Sequence, residues 1–169
     1  NITIPRELAE TNTNNLFSYF MSKKELTTNF FNEKEKLHLK DVKNLINKTI
    51  NLFYIILILS IILIFLNYKN LEKPFIFSGI ISILIVLLFS LVNFENFFNN
   101  AFHKLLFNND LYLLDPSKDN LINLFPYGFF QDFAKQLFTN SFIFSLILIT
   151  IGFILKRKNI SNITSVKSK

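Results

Sequence analysis

His38 and His103 are the two histidines of a 169-residue chain. Each is followed by a carboxylate at helical spacing: Asp41 three positions after His38, and Asp110 seven positions, or two turns, after His103. Imidazole titrates near neutrality, which suits it to general acid–base catalysis. Two imidazoles with Asp41 and Asp110 are also a zinc ligand set. No HExxH or similar compact ligand motif is present, so acid–base work outweighs a metal-assisted hydrolase, and no metal or other cofactor is expected. The plain alternative is that each is a structural histidine on an amphipathic helix. Other chemistries lack their residues. The chain has no Cys, hence no thiolate nucleophile and no disulfide, and only three Gly, with no GxSxG, P-loop or GxGxxG. Its basic residues are scattered without an aromatic platform, which argues against nucleic acid.

Two helices must position the pair. "FFNEKEKLHLKDVKNLINKTI" begins with Asn32, a good N-cap, followed by Glu33 and Glu35, whose charges suit a helix N-terminus. No Gly or Pro then intervenes before Pro74, so one helix is expected from about Glu33 into the following apolar segment. On it His38, Asp41, Val42 and Leu45 share a face. Later, Phe94, Phe97, Phe98, Ala101 and Leu105 recur at helical spacing, which predicts a helix continuing from the second apolar segment to about Phe107.

Residues 50–68, 75–92 and 138–155 carry no charge and are long enough to cross the roughly 20-residue hydrocarbon core. The fold class expected is therefore all-α, a polytopic helical membrane protein with three spans here and a fourth, N-terminal, outside this sequence. The tail 156–169 is basic with no acid, and by the positive-inside rule it is cytoplasmic. The turn 69–74 is then cytoplasmic too, and the head 1–49 and segment 93–137 face the other side. The eight basic residues of the head run against this orientation, although the rule is weak for long segments. The sequons at Asn47, Asn159 and Asn162 match by chance in so Asn-rich a chain. His38 lies 12 residues before Ile50 and His103 lies 11 after Val92. On antiparallel neighbours both then come to similar height, roughly 16–18 Å beyond the span ends.

After His103, "NNDLYLLDPSKDNLINLFPYGFF" has a turn at Asp115-Pro116 and an apolar run at Leu121, Ile122, Leu124 and Phe125 ended by Pro126. Its mixture of aromatic, Leu, Asp and Lys residues fits a segment lying at headgroup depth. On residues alone the chain reads as a polytopic membrane protein with a His-containing outer site facing lipid.

These two segments together resemble the lipoprotein intramolecular transacylase family (Lit) of bacterial integral membrane proteins. Asn32, Glu33, Glu35, His38, Asp41, Val42 and Lys43 occupy the first motif. His103, Phe107, Asn109, Asp110, Tyr112, Asp115, Pro116, Leu121, Ile122, Pro126, Phe129 and Phe130 occupy the second. Motifs and span layout cover about 12–155. Tyr112 stands where the pattern has Trp and Tyr127 where it has an acid, departures that bear on substrate fit.

The resemblance implies transfer of the sn-2 acyl chain of a diacylglyceryl group to the α-amine of the N-terminal cysteine of a bacterial lipoprotein. This would occur at the outer leaflet of the cytoplasmic membrane, by a monomer whose partners are the lipoprotein and membrane lipid. It implies His103 and His38 as catalytic groups, with Asp110, Asp41, Glu35, Asn109 and Asp115 in support. The alternative is a non-catalytic lipid- or lipoprotein-binding membrane module.

Overall fold

The computed structural model describes residues 4–21 and 25–167, with side chains through Asn159. The sequon at Asn162 and the end of the basic tail therefore lie outside the described side chains. All regular elements among the described residues are helical: α1 (Arg6–Met21), α2 (Glu33–Leu66), α3 (Glu72–Ser90), α4 (Phe94–Asn96), a π-helical turn (Phe97–Phe102), α5 (His103–Leu106), α6 (Asn120–Leu124) and α7 (Tyr127–Lys167). The all-α class expected from the sequence is the one observed. α2, α3 and residues 127–159 of α7 are each long and apolar enough to cross a bilayer. The chain forms two compact units, residues 1–54 with 94–131 and residues 55–93 with 132–169.

The first unit has a small core of Leu16, Phe31, Leu39 and Leu121, joined by Tyr19, Phe30, Leu114 and Phe125. Polar bonds do much of the ordering. Asn32 and Glu35 form a capping box at the start of α2: Asn32 Oδ1 accepts the Glu35 N–H at 3.0 Å, and Glu35 Oε2 accepts the Asn32 N–H at 2.6 Å. The second carboxylate oxygen of Glu35 accepts the backbone N–H of Leu121 at 2.6 Å, which ties α6 to α2 across 86 residues. Beside it Asn32 Nδ2 donates to Asp119 at 2.7 Å, and Asn120 Nδ2 donates to the Phe30 carbonyl at 2.7 Å. Asp119 in turn accepts the Asp115 N–H at 2.6 Å.

α2 runs unbroken for 34 residues, about 51 Å at 1.5 Å per residue. The expected continuation of the second apolar helix does not occur. α3 stops at Ser90, with Leu91 and Val92 N–H groups closing onto Leu88 and Phe89 carbonyls in tightened i→i−3 bonds, and a new helical stretch starts at Phe94. Asn93, a favoured residue at helix starts, stands at the junction. That stretch ends at Leu106, where Phe107 turns to an extended conformation.

In the second unit α3 and α7 pack antiparallel through small residues. A Cβ at Gly79 would lie 2.5 Å from Ile149 Cγ1 and 2.7 Å from the Ser145 carbonyl oxygen; one at Gly152 would lie 2.6 Å from Ile76 Cγ1 and 2.9 Å from the Glu72 carbonyl oxygen. Ser145 is buried and donates to Ser141 O at 2.6 Å, so its hydroxyl is satisfied within its own helix. Phe89 and Phe138 stack at 5.7 Å, and Asn159 donates to Glu72 at 3.3 Å. Small residues allow such close backbone approach in lipid, where there is no hydrophobic drive between helices.

Four substitutions probe these contacts. Glu35→Ala removes a cap and strands two N–H groups, and should cost about 2–4 kcal/mol in detergent unfolding, against a smaller loss for Glu35→Gln, which keeps an acceptor. Gly79→Val should lower the thermal midpoint measured in detergent, whereas Gly128→Ala, where a Cβ meets nothing within 4 Å, should leave it level or raise it.

Candidate active site

The structure brings His38 and His103 together within the first unit, with ring centroids 6.4 Å apart. His38 sits in the second turn of α2 and is buried, its ring against the edge of Phe107 at 5.3 Å. Its Nδ1 is enclosed without a hydrogen-bond partner. Burial, then the neighbouring His103, push its pKa down to about 4, with Asp41 pulling the other way.

His103 opens α5, directly after the π-helical turn. Its Nδ1 lies 2.7 Å from the carbonyl oxygen of Phe98, five residues back. A carbonyl only accepts, so Nδ1 carries the proton and Nε2 keeps its lone pair. Tyr112 stacks on the imidazole at 4.8 Å and 18°, and the Phe98 ring meets it edge-on at 4.8 Å. Burial lowers the His103 pKa and the Phe98 bond partly opposes that shift. Both imidazoles are therefore neutral near pH 7. One offers a lone pair at Nε2; the other can share an N–H without carrying charge.

The carboxylates expected around the pair divide. Asp41 is on α2 one turn from His38, but its side-chain bond is to Asn109, whose Nδ2 donates to Oδ2 at 2.9 Å. Asn109 Oδ1 accepts the Leu111 N–H at 3.1 Å, so Asn109 ties the loop after α5 to α2. Asp41 thus acts on His38 through its charge and on the loop through Asn109. Asp110 does not lie two helical turns from His103: the helix has ended at Leu106, Phe107 is extended (φ −126°, ψ 136°), and Asp110 is exposed in the loop. The reason is the burial of Phe107 against His38, which draws the chain out of its helical path.

Glu35 is fully buried in the capping network, 3 residues before His38, where it holds the frame. Asp115 is an exposed turn residue whose Oδ1 accepts the Ser117 N–H and hydroxyl, bonds that hold its carboxyl below the usual range. Sequence reasoning missed Phe98 and the role of Asp119. The i−5 spacing of Phe98 signals nothing unless a π turn is known. Tyr112 was legible only as a motif position, yet its ring stacks on that of His103 at 4.8 Å, closer than Phe107 at 6.1 Å.

An open cleft of about 230 Å³ is lined by Asp41, Asn44, Lys48, Phe107 and Asn109 and by neither histidine. Among the described residues, no three of His, Asp and Glu converge as metal ligands.

A neutral, buried His38 couples stability to pH. Its folded pKa lies below the unfolded value near 6.5, so its contribution is present above pH 6.5 and is lost as pH falls toward 4. Thermal melts between pH 7.5 and 4.5 should register a loss of up to about 3 kcal/mol, and His38→Gln should flatten that dependence.

The family model for lipoprotein intramolecular transacylase Lit matches residues 2–130, which include both histidines and the network that frames them. The solved structure of the membrane-integral lipoprotein intramolecular transacylase Lit from Bacillus cereus superposes with a TM-score of 0.80 at 27% identity, covering 92% of this chain and 76% of that one. No curated protein matches the chain. With three apolar helices of spanning length and this match, the chain is a multi-pass membrane protein, and it belongs to the lipoprotein intramolecular transacylase (Lit) family.

Proposed function

We propose that the protein is an acyltransferase that moves the sn-2 acyl chain of a diacylglyceryl-modified lipoprotein onto the α-amine of its N-terminal cysteine, using His103 as general base. The observation that carries the reading is the His103 imidazole, held by the Phe98 carbonyl with Nε2 unprotonated, 6.4 Å from a second neutral imidazole. An α-amine has a pKa near 8, so a modest base suffices to free its lone pair. Nε2 of His103 takes the amine proton as the nitrogen attacks the ester carbonyl. Amine and ester belong to one substrate molecule, and the proximity of an intramolecular attack supplies much of the rate without a covalent enzyme intermediate.

His38 serves as the neutral N–H donor to the developing oxyanion. With a pKa of about 4 it holds too little proton near pH 7 to be the acid. The tetrahedral intermediate then collapses with cleavage of the carbonyl–oxygen bond, and the imidazolium of His103 returns its proton to the sn-2 oxygen of glycerol. One C–N bond forms, one C–O bond breaks, and the enzyme ends as it began. Two charged imidazoles at this separation would repel, which favours one proton in transit at a time.

Such a substrate places the site at headgroup depth on the outer leaflet of the bacterial cytoplasmic membrane. The basic tail supports that orientation, with residues 1–49 and 93–137 outside. Asp41 and Asn109 support the site by holding the loop, and Glu35 and Asp115 by ordering the segment that bears Tyr112. The enzyme acts as a monomer with lipoprotein and membrane lipid as its partners, and Asp110 is assigned no direct part.

The test is mass spectrometry of the N-terminal peptide of a model lipoprotein, co-expressed with the complete gene in a bacterium lacking lipoprotein N-acylation. The expected product has unchanged acyl content, with one chain moved from glycerol to the amine. His103→Gln should reduce conversion by about 10²–10⁴-fold, and His38→Gln by about 10²–10³-fold. A diacylglyceryl peptide that keeps its free amine despite good expression of the wild type would favour the lipid-binding module instead.

A further inference from the structure

The histidine that bears Nε2 is aimed by an unusual piece of backbone. Residues 97–102 form a π-helical turn, and the carbonyl that holds Nδ1 belongs to Phe98, five residues before His103. Five is the spacing of a π turn, which is equivalent to an α-helix with one residue inserted. In an α-helix a carbonyl accepts the N–H four residues on and in a π turn the N–H five residues on; here the carbonyl five residues back serves the His103 side chain. The inserted residue is free to serve this purpose, since Asn99 and Asn100 are both exposed and contribute no core side chain.

The remaining surfaces of the ring are fixed as well. Tyr112 covers one face at 4.8 Å, and the Phe98 ring meets the imidazole edge-on. Phe98 is itself wedged against Phe130 at 4.9 Å and Phe102 at 5.5 Å, so its backbone has little freedom to withdraw the carbonyl.

We infer that Phe98 is a positioning residue for catalysis: the π turn delivers its main-chain carbonyl to His103 Nδ1 and thereby sets the tautomer that leaves Nε2 free to accept the substrate's proton. The inference rests on the reading of His103 as the base. A free imidazole in water exchanges between tautomers. Pinning one removes that loss and fixes the direction of the lone pair.

With two histidines in the chain, ¹⁵N-histidine labelling of the full protein in detergent micelles gives a spectrum of two rings, assigned with His38→Gln. At pH 7 the His103 ring should show a protonated Nδ1 and an unprotonated Nε2. A protonated Nε2 in the wild type would overturn the inference. Deleting Asn99, or alternatively Asn100, converts the π turn to an α turn while keeping the flanking register. That variant should lose the fixed tautomer and show kcat reduced about tenfold or more with KM near the wild-type value. A deletion variant that keeps both tautomer and kcat would also overturn it. Should neither deletion yield folded protein, the wild-type spectrum still decides. The two readings separate: full conversion by His103→Gln with the expected wild-type tautomer would remove the base assignment and leave the positioning of the ring intact.

Discussion

The first unit depends on one buried carboxylate. Glu35 has no exposed surface, yet its oxygens accept two backbone N–H groups, one from the N-cap of its own helix and one from a segment 86 residues away. A buried charge without partners is prohibitive, but one that satisfies otherwise orphaned donors orders both strands of chain that supply them. Around it Asn32, Asp119 and Asn120 add two further bonds between the same two segments, so the loop following α5 returns to the start of α2 in one defined register. The apolar core beneath has four buried members, too few to impose that register by packing alone.

From that frame the electrostatics of the two histidines follow. His38 stands one turn past Glu35 on the same helix, under Phe107, and burial strips it of charge. His103 reaches it from the other segment, neutral for the same reason and held in one tautomer by a carbonyl. Neutral imidazoles in a half-dry site suit a proton that is borrowed and returned, with no net charge change on the enzyme. Asp41 keeps a charge near without bonding either ring; its own bond goes to Asn109 and so to the loop.

The second unit is organised by a different rule. Its helices expose most of their Leu, Ile and Phe, among them Phe65, Phe77 and Leu88, which is stable only against lipid. Apolar surface cannot drive these helices together there, and α3 and α7 meet where Gly79 and Gly152 remove the side chain altogether. Two of the three glycines in the chain are spent on this contact.

By itself the sequence determined the class of structure, and it singled out the two histidines that the fold brings together. Uncharged runs of spanning length, the Asn32–Glu35 helix start, the Asp115-Pro116 turn and the two histidines are local features, set by hydrophobicity, capping and turn chemistry within a few residues. The fold does bring the two histidines together, although the unbroken helix on which counting from the apolar segments relied is interrupted after Ser90. The route between α3 and His103 was not legible, because Leu91–Asn93 hold no Gly or Pro to mark the break. Nor was the fate of the carboxylates, since whether Asp41, Glu35, Asp110 and Asp115 meet a backbone N–H, an amide or solvent depends on what folding places opposite them. Tertiary structure alone decided that Glu35 is a pin, that Asp110 stands in an exposed loop, and that Phe98 and Tyr112 hold the His103 ring. A hydrogen bond or a shifted pKa depends on partners far away in the chain, and those distances exist only after folding.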